Sequence, residues 1–175
     1  VWGSRPIHRD GHTATTKENQ MRIHIGGDHA AFEKHRDLCQ WLTEQGHEVI
    51  DHGPEEYDEL DNYPVYVLRA AEAVAADADS RGIVLGGSGN GEQIAANKVS
   101  GIRAALCYNV ELATLAREHN NAQVISIGAR MHTRDEARAM VQAFMTTDFS
   151  GVERHQVRID MMSSYEADGI LPALD

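Results

Sequence analysis

Short apolar runs alternate along this chain with longer stretches in which apolar residues recur at helical spacing. The alternation is typical of a parallel β-sheet whose strands are joined by helices covering both faces. The apolar runs predict five strands, at residues 21–26, 49–50, 82–85, 103–107 and 124–127. The amphipathic stretches predict helices at 30–45, 63–76, 110–118, 133–145 and 151–165, and one from the loop 86–92 to residue 98.

Residues at the ends of these segments support the predicted boundaries. Gly46 follows the first helix at a typical stop position, and Pro64 lies in the first turn of the second helix. Thr133 and Glu136 have the spacing of a capping box, in which each side chain bonds the backbone of the other residue. The pattern therefore predicts an α/β fold with a five-stranded parallel sheet.

The same pattern divides the chain into one predicted domain and two flanking segments. Residues 21–165 are expected to form a single domain, since the length suits one core. Residues 1–20 mix Gly, Pro, Thr and charges without periodicity, and we expect a disordered leader or an artificial extension there. Residues 166–175 are expected to form a C-terminal tail. A terminal helix such as 151–165 often docks on a partner subunit, which we expect here.

Composition narrows the functional classes. The net charge of -11 provides no positive field for a polyanion, so nucleic-acid binding is not expected. An enzyme for phosphorylated substrates would have to concentrate Arg and His in one cleft. Cys39 and Cys107 are too few for a disulfide framework or a multi-thiolate zinc site. No apolar run approaches the roughly 18 to 20 residues that span a bilayer, so we expect a soluble, cytoplasmic protein.

A glycine-rich loop between a predicted buried strand and a helix is the strongest single signal. The sequence GGSGNGE at 86–92 places four glycines in six positions. Glycine lets ligand atoms approach the main chain, and the helix start beyond it presents unpaired amides to an oxyanion or phosphate. The spacing matches neither the dinucleotide nor the Walker fingerprint. The alternative interpretation is a tight strand-to-helix turn without a ligand.

Glu92 lies in the first turn of the helix after this loop and allows two interpretations. A carboxylate is electrostatically favoured at that position whether or not it takes part in chemistry. At the mouth of a glycine-lined pocket, partial desolvation would instead raise its pKa towards a value suited to proton abstraction. The second interpretation makes Glu92 a general base.

Several separated motifs give the chain a family resemblance. These are IAANK at 94–98, GGDHA at 26–30, REHNNA at 117–122 and GAR at 128–130. Together with the glycine loop they resemble the type B ribose-5-phosphate isomerases, in the same order over residues 21–165. The resemblance implies a three-layer Rossmann-like fold, a homodimer or dimer of dimers with active sites at the subunit interface, and no metal or organic cofactor. It implies interconversion of ribose 5-phosphate and ribulose 5-phosphate, in the non-oxidative pentose phosphate pathway, through ring opening and a cis-enediolate.

One departure from the family pattern changes the expected base. The better-known branch carries a cysteine base in a C-G-T-G sequence at this loop. In this chain Gly86 stands at the position of the cysteine, and Ser88 stands at the position of the threonine. The cysteine-free branch, typical of actinobacteria, resembles this chain in having Glu at the position of Glu92. The resemblance therefore assigns the base to Glu92. Cys107 is an alternative thiol, but it ends an apolar strand and is expected to be a buried core residue.

The resemblance also assigns the remaining catalytic and sugar-binding roles. Ring opening falls to His119, while Asp28 holds a substrate hydroxyl and Ser88 orients the reacting group. Asp28 could instead be only an N-cap, and His119 only a cation favoured at a helix C-terminus. The expected substrate contacts around the enediolate and the sugar hydroxyls are Gly87, Asn90, Gly91 and Asn120.

The phosphate requires a local concentration of positive charge. The candidates are His29, Arg130, Arg154 and Arg158, of which the last two are spaced i, i+4 and share one helix face. That face could instead be a solvated basic surface. No H-E-x-x-H or comparable ligand spacing occurs in the sequence, so no metal site is expected.

Two rival functions remain open at this point. An isomerase of a six-carbon sugar phosphate, such as allose or galactose 6-phosphate, would use the same scaffold. A non-catalytic sugar-phosphate binding module would use the same loop and arginines. The presence of both Glu92 and His119 argues against the binding module, because binding alone requires neither a base nor a ring-opening acid.

Overall fold

The protein, described here by a computed structural model over residues 20–174, contains a five-stranded parallel sheet. The strands are β1 (Arg22–Gly27), β2 (Glu48–Asp51), β3 (Ser80–Gly86), β4 (Ala104–Leu106) and β5 (Val124–Gly128), in the spatial order β2-β1-β3-β5-β4. All neighbouring strands pair in parallel. The predicted five-stranded parallel sheet is therefore confirmed.

Six α-helices follow the strands or connect them. They are α1 (Phe32–Glu44), α2 (Tyr63–Ala75), α3 (Asn90–Ala96), α4 (Val110–Glu118), α5 (Arg134–Thr146) and α6 (Glu153–Asp168), and a short 3-10 turn, His29–Ala31, precedes α1. Helix α6 runs three residues beyond the predicted end at 165. The predicted leader at 1–20 lies outside the described residues except for its last position.

Alternating side chains of the strands supply two separate cores, one on each face of the sheet. In β3, Ile83 and Leu85 pack with α1, α4 and α5, whereas Val84 packs with α2 and α3. Every one of these three side chains is fully buried, as expected for a central parallel strand. The sheet is therefore the middle of three layers, which confirms the predicted Rossmann-like arrangement.

The connections create a crevice at one edge of the sheet. Strands β1 and β3 are neighbours, but the helices that follow them, α1 and α3, lie on opposite faces. Loops after such strands diverge and leave a space between them, where open α/β sheets bind ligands. The residues at the carboxyl ends of β1, β3 and β5 therefore line the expected binding position.

Helix α6 lies apart from this crevice and packs only lightly on its own chain. Its two buried residues are His155 and Ile159, whereas Val157, Met161 and Tyr165 are exposed. The segment that enters it is tied to the end of α4 by a bond from the Ser150 amide to the Glu118 carbonyl. Docking of α6 on a partner subunit stays a prediction. No helix in the part of the chain that the structure covers is long and apolar enough to cross a membrane.

Candidate active site

The loop after β3 takes a conformation that only glycine can supply at one of its positions. Gly89 has a φ of +83°, and a Cβ atom added there would lie 2.7 Å from Cδ1 of Leu106 and 3.0 Å from the carbonyl carbon of Ile127. The buried Ser126 hydroxyl donates to the Gly89 carbonyl at 2.7 Å. The loop is thus held tightly against β4 and β5, with its backbone fixed before any ligand arrives.

Ser88 and Asn90 complete the turn into α3. The Ser88 hydroxyl accepts bonds from the Asn90 amide at 3.3 Å and from the Asn90 side chain at 3.2 Å. On the other side, the hydroxyl of Tyr108 donates to the Ser88 carbonyl at 2.9 Å. Both predicted site residues therefore also have structural partners, which fix the orientation of the Ser88 hydroxyl at the loop.

Glu92 is buried at the base of this loop. It is only 4% exposed, and burial raises the pKa of its carboxyl, with a smaller contribution from the nearby charge of Asp28. The backbone amides of Glu92 and Gly89 act in the opposite direction. Its carboxyl group lies directly over Gly86, because a Cβ atom added to Gly86 would overlap the carboxyl and lie 2.6 Å from Oε2. A desolvated carboxyl in this position suits proton transfer.

Asp28 follows β1 and faces the same crevice. Its Oδ1 accepts from the Ala30 amide at 3.0 Å, so the N-cap interpretation is correct as a structural role. Burial raises the pKa of this carboxyl as well, and the residue is 7% exposed. The charge of buried Asp28 therefore adds to the effect of burial on the pKa of Glu92 at the carboxyl edge of the sheet.

His29 is held by a residue that sequence reasoning missed. One carboxylate oxygen of Asp61 accepts from the His29 backbone amide at 3.1 Å and pairs with the His29 ring at Nδ1 at 2.7 Å. The Asp61 side chain is 5% exposed. The two residues are 32 positions apart, and Asp61 lies in an acidic stretch that the sequence marks only as a loop.

Arg130 and Tyr63 close the glycine loop from two sides. Nη1 of Arg130 would lie 3.6 Å from a Cβ atom on Gly87, and the Arg130 amide bonds the Gly87 carbonyl. The hydroxyl of Tyr63 would lie 2.6 Å from a Cβ atom on Gly91, so the tyrosine packs on the backbone at the start of α3. No sequence signal identified Tyr63 as a neighbour of the loop.

The remaining predicted residues form a second group at the amino edge of the sheet. His119 caps the end of α4, which starts after β4 and returns towards the edge where β5 begins. Its ring stacks on buried His155 of α6 with a centroid distance of 4.3 Å. Both His119 and Asn120 are exposed to solvent. One chain therefore does not bring His119 to Glu92, because the two lie at opposite edges of the same sheet.

Arg154 and Arg158 belong to this second group. Both are exposed on α6 and line a groove of about 430 Å³ with Val157 and Met161, so they share one face of the helix as their spacing predicts. The pKa of His155 is lowered by loss of hydration, then by the charges of His119, Arg154 and Arg158. The two arginines therefore lie in one cluster with His119 and His155 at the amino edge, and Glu153 lines the same groove.

The turn that carries His119 is fixed by two other arginines. Arg117 is 3% exposed and donates to the carbonyls of Ala122, at 2.5 Å, and Thr147. Arg103 donates to the carbonyls of Asn120 and Asn121. These bonds hold the backbone of the turn at residues 120–122 in place. The side chains of His119 and Asn120 face outward from that turn.

Comparison with known proteins identifies the family. A family model described as Ribose/Galactose Isomerase matches residues 23–162. Ribose-5-phosphate isomerase B of Mycolicibacterium paratuberculosis is 57% identical over 146 residues, covering 83% of this chain and 92% of the relative. The protein of the same name from Mycobacterium tuberculosis strain H37Rv is 56% identical, with 83% and 90% covered. This chain belongs to the ribose/galactose isomerase family.

Solved structures agree with this assignment. The ribose-5-phosphate isomerase B of Clostridium thermocellum superposes with a TM-score of 0.81 at 39% identity, covering 86% of this chain and all of that one. The Mycoplasma genitalium enzyme, solved with bound ribulose-5-phosphate, gives 0.82 at 36% identity, with 85% and 97% covered. This chain therefore shares its fold with proteins of that name over 85–86% of its length.

Cys107 does not provide a thiol base in this ribose/galactose isomerase. It is fully buried, and burial raises the pKa of its thiol to about 12, so it is a core residue as expected. A thiol protonated at neutral pH and shielded from solvent has little nucleophilic or basic character.

Among the described residues, two groups of side chains are of the kinds that bind metal ions. One consists of His35, Cys39 and Asp51, and the other of Asp28, His29 and Asp61. In each, an imidazole nitrogen lies close to a carboxylate oxygen, at 2.6 and 2.7 Å. Ligands of one tetrahedral zinc ion, bound at about 2.0–2.3 Å, lie farther apart, at roughly 3.3 Å or more. The distances of 2.6 and 2.7 Å therefore fit hydrogen-bonded pairs and are too short for two ligands of one zinc ion.

Proposed function

We propose that this chain interconverts ribose 5-phosphate and ribulose 5-phosphate. The observation that carries the proposal is the buried Glu92 carboxyl, which lies against Gly86 beneath the glycine loop in a chain of the ribose/galactose isomerase family. An aldose-ketose isomerisation needs a base near the sugar C2, and a carboxylate of raised pKa supplies it.

Proton transfer at the sugar is the central step. Glu92 removes the proton from C2 of the open-chain aldose, and the electron pair moves to the C1 carbonyl to give a cis-enediolate. The developing oxyanion is stabilised by main-chain amides near Asn90 and Gly91, with Gly87 allowing close approach. A proton then passes from the C2 hydroxyl to the oxygen on C1. Glu92 returns its own proton to C1, which leaves a hydroxyl on C1 and the ketone at C2. Ser88, whose hydroxyl is fixed by Asn90, orients the reacting oxygen.

Ring opening precedes this step. His119 exchanges a proton with the ring oxygen or the anomeric hydroxyl, while Asp28 holds a hydroxyl beside β1 and Asn120 contacts the sugar. Within one chain, His119 and Asp28 lie at opposite edges of the sheet. The histidine that serves a given Glu92 must come from a second copy of the chain.

A homodimer with shared sites satisfies this requirement. A two-fold axis places the same pair of surfaces in contact twice, so the amino-edge cluster of each protomer can reach the carboxyl-edge crevice of the other. Arg154 and Arg158 accompany His119 in that cluster and would bind the phosphate together with His29 and Arg130. The exposed apolar side chains of α6 support its docking on the partner. A dimer of dimers would use the same contact.

The direct test is incubation of the purified protein with ribose 5-phosphate, without added metal, while ribulose 5-phosphate is measured by proton NMR. The proposal predicts equilibration of the two sugars, at a rate abolished or strongly lowered by Glu92→Gln. Allose 6-phosphate and galactose 6-phosphate, assayed in parallel, test the six-carbon alternative. Turnover of a six-carbon substrate alone would replace the proposal, and binding without any turnover would favour the non-catalytic module.

A further inference from the structure

Asp61 makes a double contact with His29 that the proposed chemistry does not require of it. A single oxygen, Oδ1, accepts from the His29 backbone amide and pairs with ring Nδ1 at 2.7 Å. The Asp61 side chain is 5% exposed, whereas that of His29 is 22% exposed. The carboxylate is therefore shielded behind the imidazole, and the imidazole is the part of the pair that reaches solvent.

This contact selects one proton arrangement of the ring. A carboxylate only accepts hydrogen bonds, so Nδ1 must carry its proton towards Asp61. The other nitrogen, Nε2, is then the ring atom left to meet a ligand. A histidine hydrogen-bonded at one nitrogen has the tautomer and direction of the other set by that bond.

Neighbouring residues restrict the ring further. The Tyr57 ring meets His29 edge-on at a centroid distance of 6.2 Å, and it meets Phe32 in the same way at 5.8 Å. Tyr57 and Asp61 both belong to the segment between β2 and α2, so this segment forms one wall around the imidazole. Among the described acidic residues of that segment, Asp61 is the one whose charge faces His29 at hydrogen-bonding distance.

We infer that Asp61 is a positioning residue, which acts through His29 by fixing its ring so that Nε2 faces the anionic group of the substrate. The inference rests on the proposed function for the identity of that group, a phosphate monoester. It does not place Asp61 in contact with substrate. The competing role is purely structural, with Asp61 doing no more than holding the β2–α2 segment in place.

A spectroscopic measurement tests the ring arrangement without any turnover. Protein labelled with ¹⁵N-histidine is studied by long-range proton–nitrogen correlation at alkaline pH, where an ordinary imidazole of pKa about 6.5 is neutral. The chain has ten histidines, so the His29 signal is assigned as the one missing from His29→Ala. The inference predicts a protonated Nδ1 in the parent protein and a loss of that preference in Asp61→Ala, which removes the acceptor oxygen. An Nε2-protonated ring in the parent protein, or a preference unaffected by Asp61→Ala, would overturn it.

A double-mutant cycle then separates positioning from structure. The measured quantity is the inhibition constant of inorganic phosphate against ribose 5-phosphate turnover. Asp61→Asn should raise it about tenfold, with a much smaller change in kcat, because a directed hydrogen bond to the anion is weakened. In a His29→Ala background the same substitution should change it by less than about twofold. An undiminished effect in that background would show that Asp61 acts only by holding the segment.

A matched control comes from the same segment. The Asp58 carboxylate accepts only a local bond from the Leu60 amide at 2.9 Å among the contacts described, so Asp58→Asn should leave the inhibition constant unchanged. The two experiments also distinguish this inference from the proposed function. Absence of isomerase activity would refute the proposed function and leave the NMR result to decide the His29 arrangement. Normal activity with the wrong tautomer would refute only the inference.

Discussion

The Glu92 carboxyl occupies the space in which a side chain on residue 86 would lie. Gly86 is at the end of β3, and its pairing with Gly128 places it at the centre of the carboxyl edge. The resemblance described above places the cysteine base of the better-known branch at that position. A side chain at 86 and the carboxyl of Glu92 would compete for one space, which gives a physical reason for glycine at 86 in this chain.

The first prediction concerns Gly86→Ala. The new methyl group would overlap the Glu92 carboxyl, so we expect a loss of about 1–3 kcal/mol in the free energy of unfolding and a clear drop in kcat. Gly86 does not have a positive φ, so its backbone conformation by itself permits alanine. Urea denaturation and steady-state kinetics measure the two effects.

The matched control is the same substitution in a Glu92→Ala background. Removing the carboxyl removes the overlap, so most of the stability loss should disappear there. An equal loss in both backgrounds would mean that the carboxyl does not occupy this space.

The second prediction is the pH dependence of stability in Glu92→Gln. Burial raises the pKa of Glu92 in the folded protein above its ordinary value of 4.5. The contribution of the protonated carboxyl to the free energy of unfolding is therefore fully present below the unfolded pKa and is lost as pH rises through the folded pKa. At neutral pH the ionised, buried carboxylate lowers the free energy of unfolding. Glu92→Gln should raise Tm at pH 7, and the difference should shrink as pH falls towards 4.5. A variant with an unchanged or lower Tm at pH 7 would contradict the raised pKa.

The third prediction tests the shared site. Glu92→Gln and His119→Asn proteins, each nearly inactive on cyclic ribose 5-phosphate, are mixed, unfolded and refolded together. Random pairing makes half of the dimers mixed, and each mixed dimer regains one of two sites, so about a quarter of the parent activity should return. Recovery no greater than the sum of the separate variants would place Glu92 and His119 of one site in the same chain.

The fourth prediction concerns the phosphate. Arg158→Ala should raise KM for ribose 5-phosphate by the equivalent of about 1.5–3 kcal/mol, the usual contribution of a hydrogen bond to a charged group, with little change in kcat. Arg134→Ala is a suitable control, because Arg134 is an exposed residue of α5 that pairs with Asp37. Equal KM values in all three proteins would move the phosphate site away from α6.

Local sequence patterns accounted for the fold because the responsible interactions are local or periodic. The alternation of Ile83, Val84 and Leu85 assigned each side chain to one face of the sheet, and both faces are filled accordingly. Thr133 and Glu136 form the predicted capping box, with bonds of 3.2 and 2.8 Å. The prediction that Cys107 is a core residue is confirmed for the same reason, because the end of an apolar strand is a core position.

The arrangement of the site was less accessible from the sequence. Asp61 meets His29 only because the long segment between β2 and α2 folds back over the end of β1, and no spacing rule encodes that path. The separation of His119 from Asp28 follows from the direction of α4, which leaves the carboxyl end of β4 and returns to the amino end of the parallel strand β5. Motif resemblance grouped these residues by role, whereas the fold divides them between two edges.

The most direct test of the central claim is the kcat of Glu92→Gln for ribose 5-phosphate, measured beside the affinity of the variant for the same sugar. With Glu92 as the proton-transferring base, kcat should fall by about 10²–10⁴-fold while the sugar still binds with near-normal affinity. A variant that isomerises ribose 5-phosphate at close to the parent rate would contradict the account.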